Sequence, residues 1–167
     1  VGIAMIIVPT DNPGFDLVRP HRVEMMGGDD ALAELLQPRR GEPGAEPPPG
    51  RDDVEAWAHV AEKFSSTPGV MGYDLFNEPW PDAADSWANP AAEWRCLRDG
   101  GTCTGITYEV AGMQDLLDAV RATGAVNVVM SAGLTWTNDL SQWLAYKPQD
   151  PTGNLMASWH TYNFNAC

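Results

Sequence analysis

The sequence predicts an α/β fold that is a fragment of a (β/α)8 TIM barrel, and three observations support this prediction. Four short apolar runs have the composition of strands buried on both faces. Helical patterns lie between the runs, and alternation of strands with helices indicates parallel βαβ units. The chain also begins and ends with a predicted strand, and four strands are too few for a barrel of eight. We therefore expect half of a barrel rather than a small open sheet with bare apolar edges.

The predicted strands comprise residues 3–8, 70–76, 126–131 and 155–160. Pro68 and Gly69 precede the second strand, and Pro79, which has no backbone N–H for a ladder, follows it. The ring of Pro79 should also exclude Glu78 from the helical region and give it an extended conformation. A carboxylate is thereby predicted at the carboxyl end of this strand, the edge of a parallel sheet where active sites form.

The predicted helices comprise residues 29–36, 52–64, 108–123 and 138–144. For the helix over 52–64, Asp52 is predicted as the N-cap and Glu55 occupies the capping-box position. Apolar residues of the helix over 108–123 recur on one side, and Gly124 stands where a left-handed C-cap is required. These patterns predict helices that cover the faces of the sheet.

Two long segments interrupt this pattern. Residues 37–50 are rich in Pro, Gly and charged residues, which predicts a disordered insertion. Residues 81–107 follow Glu78 and contain Trp87, Trp94 and two cysteines, which predicts an ordered active-site loop.

The charge of the chain limits its partners. Ten basic residues against 23 acidic ones give a formal net charge of −13, which repels nucleic acid and anionic membranes. No segment has the roughly 18–20 consecutive apolar residues of a membrane span. Seven tryptophans would suit an uncharged ligand with flat apolar faces, although tryptophans packed in the core explain them as well.

The three cysteines are Cys96, Cys103 and Cys167. The short separation of Cys96 and Cys103 is compatible with a local disulfide, which would indicate an oxidising compartment. A zinc site is the alternative, but no His lies close in sequence and the spacing fits no common metal motif. We therefore predict neither a metal nor another cofactor. Cys167 has no obvious partner, and it is either a free thiol or paired with a cysteine beyond this sequence.

The residues around the strand ends predict the chemistry of the site. Asn77 offers an amide beside Glu78, suited to a sugar hydroxyl. His160 ends the last predicted strand and Tyr162 follows it with the same parity, so both should point to the same side. Trp136 follows the third strand and adds an aromatic wall. This residue set suits glycoside hydrolysis, in which two carboxyl groups flank the scissile bond.

The segment Leu-Phe-Asn-Glu-Pro at 75–79 resembles the Asn-Glu-Pro signature of glycoside hydrolase family 5, the retaining cellulase-like (β/α)8 barrels. Further resemblance lies at residues 111–114, 120–124, 133–140 and 159–164, within a similar region of about 52–167. It implies that Glu78 is the acid/base and that Asn77, His160, Tyr162 and Trp136 bind substrate. It also implies a partial catalytic domain over residues 1–167 that contains the third to sixth strands of the barrel.

The sequence departs from that family in two ways. The family's nucleophile is a second Glu on the seventh strand, and no Glu follows Glu109 here. Residues 1–50 match poorly, although residues 3–8 occupy the position of the third strand. The resemblance therefore implies a fragment that lacks the nucleophile and is inactive by itself.

The expected function is that of a secreted, retaining β-glycosidase acting on a polysaccharide or oligosaccharide, as an endo-β-1,4-glucanase does. The alternatives are an enzyme directed at mannan, xylan or glycolipid and a carbohydrate-binding remnant without turnover. An esterase would need a Gly-x-Ser-x-Gly turn, which the sequence lacks.

Overall fold

The computed structural model describes residues 4–7 and 49–161. The strands are β1 (Ala4–Ile7), β2 (Val70–Asp74), β3 (Gly100–Thr102), β4 (Glu109–Ala111), β5 (Val128–Ser131) and β6 (Leu155–Ala157). The helices are α1 (Arg51–Phe64), α2 (Pro81–Ala84), α3 (Pro90–Asp99), α4 (Met113–Ala122), α5 (Leu134–Thr137) and α6 (Trp143–Tyr146).

The main sheet has the strand order β1-β2-β5-β6, and β2, β5 and β6 are parallel. Tyr73, Val129 and Leu155 are neighbours across these three strands and contribute to the main hydrophobic core. Helices α1 and α4 supply the other half of that core, with Trp57 packed edge-on against Tyr73 at 5.6 Å. The predicted parallel arrangement of β2, β5 and β6 is therefore confirmed, and their carboxyl ends meet at one edge.

The direction of β1 was predicted incorrectly. It pairs with β2 in antiparallel register, with Ala4 opposite Asp74 and Ile7 opposite Val70, so it does not take the place of a parallel third strand. An apolar run predicts a strand, but the direction of that strand in the sheet depends on the connection that follows it. The pairing pattern here contains an irregularity between Ile6 and Ile7.

The N-cap of helix α1 lies two residues earlier than predicted. It is Gly50, not Asp52, and the Asp53 carboxylate accepts a hydrogen bond from the Gly50 N–H at 2.6 Å. The Asp53 N–H in turn donates to the Gly50 carbonyl at 3.0 Å. Several acidic residues in succession offer more than one capping register, and burial of Asp53 selects this one.

The predicted helix over 108–123 is shorter in the structure, because residues 109–111 form β4 and pair with β3. Gly124 has φ of 84°, as a left-handed residue after a helix requires. Most of the predicted helix over 138–144 is irregular, and only the short α6 lies in that region. The predicted helix over 29–36 lies outside the described residues.

The segment 81–107, for which an ordered loop was predicted, contains helices α2 and α3 and strand β3. A disulfide joins Cys96 in α3 to Cys103 just after β3. Cys167 lies outside the described residues. Of the predicted insertion at 37–50, only Pro49 and Gly50 are described, and both are buried and paired with the segment around β4.

Arg121 fixes the connections that lead into β5 and β6. Its guanidinium donates to both carboxylate oxygens of Asp150 at 2.8 and 3.0 Å, and to the carbonyls of Ala125 and Asn127 at 2.9 Å each. Hydrogen bonds from Arg121 hold the pKa of the Asp150 carboxyl well below its usual range. This buried ion pair joins the end of α4 to the loop before β6.

Candidate active site

Glu78 and His160 lie together at the carboxyl ends of β2 and β6. Nδ1 of His160 is 3.0 Å from Oε1 of Glu78, although the two residues are 82 positions apart in sequence. The side chains are 26% exposed for Glu78 and 22% for His160, so both can be reached from solvent. A carboxylic acid and an imidazole at this distance can exchange or share a proton.

The backbone of Glu78 does not have the extended conformation that the sequence predicts. Its φ is +47°, in the left-handed region that residues other than glycine rarely adopt. The ring of Pro79 favours an extended conformation at the preceding residue, so the positive φ of Glu78 must be imposed by the surrounding structure. Such strain is found where the surrounding structure imposes a side-chain direction, as in active sites.

A second buried carboxyl group, that of Asp74, ends strand β2. Ser158 Oγ donates a hydrogen bond to Asp74 Oδ2 at 3.2 Å, and Oδ1 has no hydrogen-bond partner within the described residues. Burial raises the pKa of Asp74 to about 6, and the charge of His160 and the Ser158 hydrogen bond oppose that rise. Asp74 is therefore a carboxyl group within the electrostatic influence of His160 that gains a proton in mildly acidic solution.

The turn that carries Trp136 is bonded to the backbone of His160. The His160 N–H donates to the Thr137 carbonyl at 3.0 Å, and Asn138 Nδ2 donates to the His160 carbonyl at 2.9 Å. The Trp136 ring lies 6.4 Å from that of Trp87, with the ring planes inclined at 55°. The aromatic wall predicted from Trp136 thus includes a second indole, from the segment that follows Glu78.

The structure places the other predicted site residues as follows. Asn77 directly precedes Glu78 and is half-buried. Tyr162 lies outside the described residues. Among residues 4–7 and 49–161, no cluster of three or more His, Cys, Asp or Glu side chains could hold a metal ion. In the same part of the chain, no helix is long and apolar enough to cross a membrane.

Sequence reasoning did not identify Asp82 as part of this site. It is 1% exposed, lies four residues after Glu78, and accepts a hydrogen bond from Thr135 Oγ1 at 2.6 Å. Asp82 lies in α2, eight residues beyond the end of β2, and its burial cannot be read from the sequence of that polar segment. Ser158 was also missed, because its partner Asp74 is distant in sequence.

Comparison with known proteins gives a family for this arrangement. The sequence profile described as Cellulase (glycosyl hydrolase family 5) matches residues 37–166. A similar curated protein is endoglycoceramidase I of Rhodococcus hoagii (strain 103S), 33% identical over 107 residues. That match covers 62% of this chain and 20% of the endoglycoceramidase, so the chain spans about a fifth of that relative.

Solved structures give a similar result for the fold. The β-glucanase SdGluc5_26A of Saccharophagus degradans, in complex with cellotetraose, has a TM-score of 0.50 and 22% identity over 70% of this chain and 30% of that one. A triple variant of the endo-β-1,4-glucanase of Xanthomonas axonopodis pv. citri has a TM-score of 0.41 and 22% identity over 66% of this chain and 31% of that one. With the family match, the likeness to the first of these confirms the predicted fragment of a (β/α)8 barrel.

Proposed function

Because the chain belongs to glycoside hydrolase family 5, we propose that it supplies the acid/base group of a retaining β-glycosidase. The observation that carries the proposal is the Glu78–His160 pair, 3.0 Å apart at the carboxyl ends of two parallel strands. In enzymes of this kind, a carboxylic acid protonates the glycosidic oxygen while a second carboxylate attacks the anomeric carbon. The first residue then removes a proton from the water that releases the sugar.

Glu78 performs both proton transfers in this proposal. In the first step its acid form gives a proton to the departing oxygen, and in the second its carboxylate accepts one from water. His160 stabilises both forms, since Nδ1 can accept a hydrogen bond from the protonated acid or donate one to the carboxylate. The half-buried position of Glu78 leaves the group accessible to substrate while limiting competition from water.

The nucleophile comes from outside these 167 residues in the proposed mechanism. The last Glu of the sequence is Glu109, which is exposed in β4. A retaining enzyme needs a second carboxyl group about 5–5.5 Å from the acid. The proposed complete enzyme therefore places a glutamate on a later strand opposite Glu78.

The first candidate substrate is a β-1,4-linked glucan, cleaved within the chain. Trp136 and Trp87 offer flat apolar surfaces of the kind that contact sugar rings, and the amide of Asn77 is suited to the 2-hydroxyl. Tyr162 completes the proposed set of substrate-binding residues. No cofactor takes part in the proposed reaction.

The second candidate substrate is a glycolipid. The 33% identity with endoglycoceramidase I favours it, because that identity is higher than the 22% found with the β-glucanase of Saccharophagus degradans. We also propose that the protein is secreted, since the Cys96–Cys103 disulfide is typical of oxidising compartments.

The full open reading frame, expressed as wild type and as Glu78→Gln, tests the function. The matched control is Glu109→Gln, the same change at an exposed glutamate. Turnover of soluble β-1,4-glucan and of a detergent-dispersed glycosphingolipid is measured with each protein. We expect Glu78→Gln to reduce turnover by about 100-fold or more, since acid/base catalysis contributes on the order of 10²–10⁴. Equal turnover by Glu78→Gln and the wild type would refute the role of Glu78, and the preferred substrate decides between glucan and glycolipid.

A further inference from the structure

Two turns with left-handed backbone lie side by side next to the candidate active site. In the first, Ser86 and Trp87 both have φ of 54°. In the second, φ is 53° at Thr135, 54° at Trp136 and 64° at Thr137. None of these residues is glycine, so each carries a conformational cost that other contacts must offset. Each turn carries one of the two paired indoles.

Asp82 bonds directly to both turns. Its backbone carbonyl accepts a hydrogen bond from the backbone N–H of Trp87 at 2.8 Å. Its carboxylate accepts one from the Thr135 hydroxyl at 2.6 Å, a short, charge-assisted bond. The residue is 1% exposed, so little water competes for these bonds. Asp82 is therefore the contact that fixes one turn relative to the other.

The second turn is also fixed relative to the catalytic pair. The backbone carbonyl of Thr137 accepts a hydrogen bond from the backbone N–H of His160, and the side chain of His160 contacts Glu78. A closed circuit of contacts thus runs from Glu78 along the chain to Asp82, across to Thr135, and back through His160. Trp136 lies inside this circuit, between Thr135 and Thr137.

Stability alone does not explain a carboxylate at this position. Asp82 Oδ1 has no hydrogen-bond partner in residues 49–161, although it is buried. An ionised group with one oxygen unpaired in the interior is usually less stabilising than an apolar side chain of similar size. The need to hold the two turns in a fixed relative position accounts for the presence of the Asp82 carboxylate.

We propose that Asp82 is a positioning residue, whose bond to Thr135 aligns Trp87 and Trp136 into one aromatic surface that binds a sugar ring of the substrate next to the cleaved bond. This inference rests on the proposed function for its ligand. The ring of Trp87 is 57% exposed and that of Trp136 is half-buried, so the pair is accessible from solvent. A tilted pair of indoles forms a shallow apolar angle that matches the C–H face of a sugar.

Variants of Thr135 test the proposal in the full-length Glu78→Gln protein, which should bind without turnover. Thr135→Val has nearly the same shape but no hydroxyl, and Thr135→Ser retains the hydroxyl. Asp82→Asn removes the charge while keeping the size of the side chain. The dissociation constant of cellopentaose is measured by calorimetry, and the circular dichroism of the aromatic side chains reports the geometry of the indole pair.

We expect Thr135→Val and Asp82→Asn to raise the dissociation constant by about tenfold and to change the aromatic spectrum, as the loss of a charge-assisted bond implies. Thr135→Ser should remain within about twofold of its parent in both measurements, because it keeps that bond. Unchanged affinity in Thr135→Val, or an equal loss in Thr135→Ser, would overturn the proposal. So would failure of the parent to bind cellopentaose at millimolar concentration.

Failure of the proposed function has a different signature. A wild-type protein that binds cellopentaose, responds to the Thr135 series in this graded way, and hydrolyses neither glucan nor glycolipid would refute the enzyme activity and support the positioning role. If Asp82→Asn does not fold, the two Thr135 variants decide the question without it.

Discussion

Substitution of Asp74 by asparagine should change how the stability of this fold depends on pH. Burial raises the pKa of Asp74 to about 6 from its ordinary value of 3.8. Because the folded state holds the proton more tightly than the unfolded state, this carboxyl group contributes most stability below about pH 4. That contribution is lost as pH rises towards and through the folded-state pKa.

The size of the effect follows from that difference in pKa. A shift of about two units corresponds to about 3 kcal/mol between the fully protonated and fully ionised limits. About 2 kcal/mol of this should accumulate between pH 4 and pH 7, and the curve should flatten above pH 7. The amide side chain of the variant is neutral throughout, so Asp74→Asn should become more stable relative to wild type over the same interval.

Urea unfolding of both proteins at about pH 4, 5, 6 and 7 measures this difference. Ser158→Ala is the control, because it removes the hydrogen bond to Asp74 and keeps the carboxyl group. A stability difference between wild type and Asp74→Asn that does not vary with pH would refute the argument from burial.

Three further substitutions should reduce the free energy of unfolding. The double change Cys96→Ser with Cys103→Ser should cost about 2.5 kcal/mol, because the disulfide closes a short loop with a sequence separation of 7. Arg121→Met should cost about 3 kcal/mol at neutral pH, because the buried Asp150 carboxylate loses its cation and keeps only the hydrogen bonds from Thr152 and Asn154. This cost should shrink as pH falls below about 4 and the carboxylate of the variant gains a proton. Trp57→Phe should cost about 2 kcal/mol, because the buried carbonyl that accepts from the indole N–H at 2.8 Å loses its partner. Urea unfolding at about pH 7, and for Arg121→Met also at about pH 3, checks all three.

Matched controls separate these effects from general damage. Arg98→Met removes an ion pair to Asp99 whose side chains are 32% and 49% exposed, and it should cost less than about 1 kcal/mol. A similar loss in Arg121→Met and Arg98→Met would contradict the role given to the buried pair. A free energy of unfolding that is unchanged in Trp57→Phe would show that the Leu75 carbonyl finds another hydrogen-bond donor.

The parts of the fold that sequence could predict are those set by local composition. The apolar runs at β2, β5 and β6 form strands in the structure, and Gly124 has the left-handed backbone expected after a helix. The expectation that these strands are buried on both faces is wrong for β2 and β6, where Met71 and Met156 are exposed. The start of α4 could not be predicted in the same way. Residues 109–111 belong to a segment whose sequence pattern fits a helix. They form strand β4 instead, because they pair with Gly100–Thr102 of β3. The antiparallel direction of β1 depends on a similar non-local choice.

The candidate site shows the same division. The proximity of Glu78 and His160 could be predicted from sequence, because the carboxyl ends of parallel strands meet at one edge of the sheet. The positive φ of Glu78 could not be predicted, since the steric effect of the following proline favours an extended conformation instead. The contribution of Asp82 and Trp87 depends on two turns that fold back on each other, and no spacing in the sequence indicates that contact.

Leaving-group dependence in the full-length protein tests the central claim about Glu78 most directly. Wild type and Glu78→Gln are compared on cellotetraose and on an aryl cellobioside whose phenol leaves without protonation. An acid that protonates the leaving oxygen predicts a loss of about 100-fold or more in kcat/KM on cellotetraose and a much smaller loss on the aryl substrate. An equal loss on both substrates would contradict the assignment of Glu78 as the acid.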